Sequence, residues 1–241
     1  MPAPTSGLVL FWNMSDYVDR SPNLNNGTGV GGQSVTMGTV SISRHLTNGV
    51  ALASYVSAAT FISGMLGPST ICAWLRTEDT TDSHIAWMFR QDSGVNFRYF
   101  AHFNLGATTT WVAGASNTTA STVRSALANP AVSANKWYHL IVTYNVSKAS
   151  AIYINATFAS APSQIVGSAD SGRIKRVGGA DGVAVEGGWR GSIDEFRYYN
   201  RILSATERLN VFADTNQYPL DVRDFRGVRI GVGRSMHKGE F

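Results

Sequence analysis

The sequence predicts an all-β protein: a two-sheet antiparallel β-sandwich of the jelly-roll kind, with one short C-terminal helix and an extended C-terminal arm. Three observations carry that expectation. Short runs rich in Val, Ile, Thr, Tyr, Phe and Trp recur between clusters of Gly, Asn, Asp and Ser, as strands recur between turns. The 241 residues are 44% hydrophobic and 11% aromatic and include 24 Gly, which supplies a sizeable core and too many turn formers for long helices. Helix signals gather in a single stretch. A chain of this length fits one large β domain, since sandwiches often reach roughly 200 to 250 residues. Residues 1–217 are read as that domain and 218–241 as the arm.

The elements follow in order. GLVLFWNM is an apolar opening strand, and the oxygen-rich loop SDYVDRSPNLNNG comes after it. SVTMGTVSIS, GVALASYV, TICAWLRT, HIAWMFR, NFRYFAHF and TTTWVAG are further β-rich runs between turn signals. KWYHLIVTYN alternates most clearly: Tyr138, Leu140, Val142 and Tyr144 share one face and Trp137, His139, Ile141 and Thr143 the other, with the first set the better core face. ASAIYINATF and WRGSIDEFRYYN complete the strands. In LSATERLNVFAD, Ser204 and Glu207 have the spacing of a capping box, and Leu203, Leu209 and Phe212 supply an apolar stripe. Pro219 prevents continuation of that helix.

Several function classes lose support on composition and context. A net charge of +4, dispersed along the chain, lacks the clustered basic face of a nucleic-acid binder. No apolar run approaches the roughly 18 residues of a membrane span. The N-terminus has neither a basic leader region nor an apolar run long enough for a signal peptide, so synthesis in a cytoplasm is expected. Cys72, the single cysteine, reads as a small buried hydrophobe. GTGVGG satisfies G-x-G-x-x-G, but it leads into a β-rich run rather than the helix that a dinucleotide pyrophosphate requires. The five His residues are scattered and are read as packed or surface side chains.

The order of these runs resembles the laminin-G-like, concanavalin A-like jelly-roll domains. The opening strand with its Asp, Ser, Asn and Gly turn, ICAWLR, NKWYHLIVTYN, AIYINATF and above all the closing GSIDEFRYYNRILSATE carry the likeness, from about Gly7 to Asp214. One departure stands out: Ala156 follows Asn155 where the family usually has Gly, which bears on the tightness of that hairpin. The resemblance implies two packed antiparallel sheets, frequent binding of glycans or proteins, and in many members a structural calcium ion. It also implies relatives that cleave polysaccharides.

Asp194 and Glu195 therefore need a physical test. Glycosidic hydrolysis takes two carboxyl groups flanking the bond, roughly 5 to 10 Å apart. Neighbours on one strand cannot flank it, and the spacing of Ile193, Phe196 and Tyr198 suggests a bulge that stands the pair side by side. Catalysis is not expected. Glu195 is expected to pair at the surface with Arg197 or Arg201. If the last strand pairs near the first, as the resemblance implies, Asp194 could share a calcium ion with Asp19 and Asn23. Ordinary turn chemistry explains the same residues without metal. Trp87, Trp111 and Trp189 are candidates for a glycan-stacking platform, although a large sandwich also needs such rings between its sheets.

The arm departs from a free-standing lectin-like domain. From Asp221 to Phe241 it carries five basic residues against three acidic ones, with Arg223, Phe225, Arg226, Arg229 and Arg234 as candidate anchors on neighbouring protein subunits. Three classes follow. The first is a structural, non-catalytic component of a large assembly, a phage or virus particle, with glycan adhesion as an added role. The second is a free carbohydrate-binding module or lectin, and the third a polysaccharide-cleaving enzyme, which the missing carboxylate constellation disfavours.

Overall fold

A computed structural model of the chain describes residues 2–31, 33–37, 42–47, 54–58, 68–80, 84–90, 97–103, 111–116, 122–126, 132–145, 150–160, 174–179 and 188–214. Among them are fifteen strands and one helix. In chain order they are β1 (Leu8–Trp12), β2 (Gly27–Gly31), β3 (Gln33–Met37), β4 (Ile42–Thr47), β5 (Ser54–Ala58), β6 (Ser69–Thr77), β7 (His84–Arg90), β8 (Phe97–Phe103), β9 (Trp111–Ser116), β10 (Thr122–Ala126), β11 (Trp137–Tyr144), β12 (Ser150–Ile154), β13 (Thr157–Ser160), β14 (Ile174–Val177), β15 (Arg190–Tyr199) and α1 (Ala205–Asp214).

The strands make two antiparallel sheets, as expected. The first runs β13-β12-β11-β6-β15-β4-β3 with β1 also on β15, and the second runs β10-β9-β8-β7-β14-β5-β2. Strand β15 organises the first sheet. Along one side it pairs with β6; along the other, its first half pairs with β4 and its second half with β1. The opening strand thus completes the sheet beside the last strand.

Strict alternation produces two apolar layers rather than one. Tyr138, Leu140, Val142 and Tyr144 face the inter-sheet core with Leu10, Trp12, Ile71, Leu75, Ile193 and Phe196. On the outer face, Cys72, Ile141 and Tyr199 would meet water in a simple sandwich, but Leu203 and Val211 cover them. The helix lies across that face. Its cap forms as the spacing predicts: the Ser204 N–H donates to Glu207 Oε2 at 2.9 Å and the Glu207 N–H to Ser204 Oγ at 3.3 Å. The stripe differs in one member, because Leu209 is 55% exposed and Val211, two positions on, is fully buried.

GTGVG, Gly27–Gly31, forms strand β2, and two of its glycines admit neighbouring rings: a Cβ at Gly27 would press on Val56 and Trp12, and one at Gly29 on the Tyr17 phenol. AIYINATF divides into β12 and β13 around a two-residue turn, in which Asn155 and Ala156 take φ of 49° and 61°. The hairpin is therefore tight without glycine, at the steric cost an alanine meets in the left-handed region. Arg223, Phe225, Arg226, Arg229 and Arg234 lie outside the described residues. Among those described, no helix is long and apolar enough to cross a membrane.

Candidate functional site

The Asp194 and Glu195 pair occupies a β-bulge. Asp194 stands opposite Trp74 and Arg197 opposite Cys72, so Glu195 and Phe196 together face Ala73, and Glu195 takes φ of 51°. The extra residue lets Ile193 and Phe196 both reach the inner core while Glu195 reaches Arg197 on the outer side. Glu195 Oε2 accepts from Arg197 Nη2 at 2.8 Å, and Asp214 at the end of α1 lies 3.4 Å from the same nitrogen. The Arg197 guanidinium also sits 4.4 Å over the Phe11 ring.

This is not the surface pair the sequence suggested. The Glu195 and Arg197 side chains are 4% and 2% exposed, because α1 closes over them. Arg201 instead bonds Glu207 at 2.5 Å. Burial pushes the Glu195 carboxyl up, with Arg197 opposing that shift, and desolvation pushes the Cys72 thiol up to about 12. Asp194, also buried, accepts the Glu195 N–H at 3.0 Å through Oδ1. Neither carboxyl is open to a polysaccharide, so the pair closes the sandwich and cannot act as an acid and base across a glycosidic bond.

His139 belongs to the same layer. Its ring lies 5.0 Å from Trp74 and 5.7 Å from Phe212, and neither ring nitrogen has a hydrogen-bond partner. Burial, reinforced by the charge on Arg197, holds it neutral with a pKa lowered to about 3.

Two of the proposed calcium ligands serve the turn after β1. Asp19 accepts the Phe11 N–H and the Ser21 N–H at Oδ1, both at 2.8 Å, and the Ser21 hydroxyl at 2.8 Å and Asn25 N–H at 2.6 Å at Oδ2. Four donors fill its acceptor sites. Asn23 donates from Nδ2 to the Leu8 and Val9 carbonyls. Turn chemistry therefore accounts for Asp19 and Asn23, while Asp194 accepts the Glu195 N–H. Among the described residues, no three His, Cys, Asp or Glu side chains gather at metal-binding range.

Trp87, Trp111 and Trp189 are at most 1% exposed, which corrects the expectation of a sugar platform on them. Trp111 stacks on Trp189 with centroids 5.9 Å apart, and Trp87 meets Phe196 edge-on at 5.9 Å. Their area is spent filling the space between the sheets. Among the described residues, the exposed aromatic surface is elsewhere. On the β12–β13 hairpin, Phe158 is 60% exposed and meets half-buried Tyr153 at 5.6 Å, 68° between planes. Arg208 of α1 lies 4.0 Å over the Tyr153 ring and donates to the Leu203 carbonyl. The alternation within AIYINATF was the available signal, since Tyr153 falls opposite the Ile152 and Ile154 core positions.

Two twisted sheets closed by the opening and final strands, a buried carboxylate pair and an aromatic corner beside a covering helix define a lectin-like jelly-roll domain. The chain belongs to the concanavalin A-like lectin/glucanases superfamily, whose laminin-G-type family model matches residues 48–207. No curated protein matches it in sequence. Among solved structures, it is similar to domain 4 of an extracellular arabinanase from Geobacillus stearothermophilus, in complex with arabinotriose: 16% identity, TM-score 0.59, covering 86% of this chain and 98% of that one. It is also similar to the binding domain of Paraclostridial Mosquitocidal Protein 1, at 18% identity and TM-score 0.64, covering 86% of this chain and 52% of that one. A third is botulinum neurotoxin type C, which enters cells dependent upon interaction with two ganglioside molecules; here the identity is 12% and the TM-score 0.63, covering 87% of this chain and 51% of that one. The chain thus spans almost the whole arabinanase domain and about half of each toxin chain. At these identities the likeness establishes the fold.

Proposed function

We propose that this domain is a non-catalytic module that binds carbohydrate. The observation carrying this reading is the Tyr153 and Phe158 corner: an aromatic ring held open to solvent offers an apolar face to the C–H face of a sugar. Burial of Asp194 and Glu195 supports the non-catalytic part. The arabinotriose and ganglioside ligands of the structural neighbours are consistent with it by analogy. A glycan array probed with the full chain tests the proposal. Retention of at least one saccharide class, with no shortened product released, is expected; an array without binding removes the carbohydrate reading, and product release removes the non-catalytic one.

A second reading concerns where such a module would work. The Arg- and Gly-rich sequence carrying Arg223, Phe225, Arg226, Arg229 and Arg234 suits anchoring along neighbouring protein subunits, as in a phage or virus particle assembled in a host cytoplasm. The sequence of the arm is its sole support. Solution mass and particle binding of the full chain are compared with those of a chain ending at Tyr218. Loss of assembly or docking from a folded truncated chain upholds the anchor, and unchanged behaviour removes it.

A further inference from the structure

We infer that the Phe158 corner is selective for a carboxylated sugar, with Arg208 receiving the acid group. This rests on the carbohydrate reading above and assigns its ligand class. Phe158 and Arg208 come from different elements, β13 and α1, yet both touch one ring, that of Tyr153. They consequently stand within the span of a short oligosaccharide. Tyr153 fixes their relation: its ring carries the guanidinium on a face and meets Phe158 near edge-on, so neither depends on a loop for its position.

The charge balance at this corner is unequal. Of the other described arginines, Arg76 bonds Asn135, and Arg20, Arg190, Arg197 and Arg201 each have a carboxylate partner. Arg208 has none; its Nη1 serves the Leu203 carbonyl, and Nε is buried without an acceptor. A guanidinium stacked on an aromatic ring is oriented before any ligand arrives, which lowers the ordering cost of a charge-assisted bond to a carboxylate. Neutral sugars would use the Phe158 face alone. Uronic and sialic acids would use both groups, and the two differ in where the carboxyl sits on the ring.

Calorimetric titration of the full chain with oligogalacturonate, oligosialic acid and neutral arabinotriose separates the possibilities. One of the carboxylated probes should bind at least about tenfold more tightly than arabinotriose, with affinity falling as salt rises. Which of them binds identifies the source of the acid group. Phe158→Ser should lower the melting temperature by no more than a few degrees, the loss of one cross-strand aromatic pair, and weaken that probe by about tenfold or more. Arg208→Gln should remove the preference for the acid, and Arg208→Lys should restore part of it. Binding of a carboxylated probe that ignores Phe158→Ser and Arg208→Gln overturns the assignment of the site. Tighter binding of arabinotriose overturns the acid preference while leaving carbohydrate binding intact, and failure of all three probes overturns this inference, with the array deciding the broader reading.

Discussion

Arg197→Met tests whether the buried ion pair holds α1 to the sheet. The guanidinium lies 2.8 Å from Glu195, 3.4 Å from Asp214 and 4.4 Å from the Phe11 ring, with 2% of its side chain exposed. Methionine keeps much of the volume but leaves Glu195 buried without its cation. Asp214, at 13% exposure, is nearer water and loses less. Breaking a buried pair by removing one partner costs about 3–5 kcal/mol, whereas replacing both with apolar groups is often neutral. Glu195→Met in the same chain should therefore recover most of the loss. At about 2–4 °C per kcal/mol for a domain of this size, the single variant should melt roughly 6–20 °C lower. Scanning calorimetry with urea unfolding followed by tryptophan fluorescence measures both variants. A single variant within about 1 kcal/mol of the parent, or a double variant no more stable than the single, would refute the buried-pair account.

Other outcomes follow from the same geometry. His139 titrates near pH 3 in the folded chain and near 6.5 when unfolded, so the unfolded chain binds more protons in that window; stability should be full above pH 6.5 and fall by about 1.4 kcal/mol per pH unit towards 3. His139→Leu should flatten that dependence and raise stability at neutral pH, since it removes two unpartnered buried nitrogens; an unchanged acid melt would show that other groups dominate. Ala156→Gly should stabilise by about 0.5–1 kcal/mol, relieving φ of 61° in the hairpin turn, as read by chemical denaturation. Gly191→Ala should destabilise by at least about 1–3 kcal/mol, because φ is 135° and a Cβ would overlap the Arg76 carbonyl. Chelation should leave the melting temperature unchanged while Asp19→Ala lowers it, since Asp19 serves four protein donors rather than calcium.

Much of the architecture was legible because period-two patterning and turn chemistry are local. The two faces of β11, the Ser204 and Glu207 cap and the bulge at Glu195 could all be read from adjacent residues. What escaped was set by distant partners. The outer face of β11 reads as solvent-facing until α1 is placed on it, and that placement converts an exposed Glu195 and Arg197 pair into a buried one. The tryptophans illustrate the same limit: a large ring in a strand is equally suited to a core or a platform until sheet packing fixes its side. Phe158 lies beyond the hairpin turn at Asn155 and Ala156, and its side is fixed by pairing with Tyr153, with a register shift between Ile152 and Tyr153 that the local sequence does not reveal.

The position of β15 bears on how the domain is made. It is the last strand described, yet it lies between β6 on one side and β4 and β1 on the other. During synthesis the first sheet therefore lacks its middle until residue 199 has left the ribosome, and three earlier strands wait with unpaired backbone edges. Such long-range closure delays folding and leaves those edges open to other chains. Termination between Ser160 and Arg190 would leave the β6-β11-β12-β13 strands, the β3-β4 pair and β1 with no strand to join them, a product suited to chaperone capture rather than to a smaller functional domain.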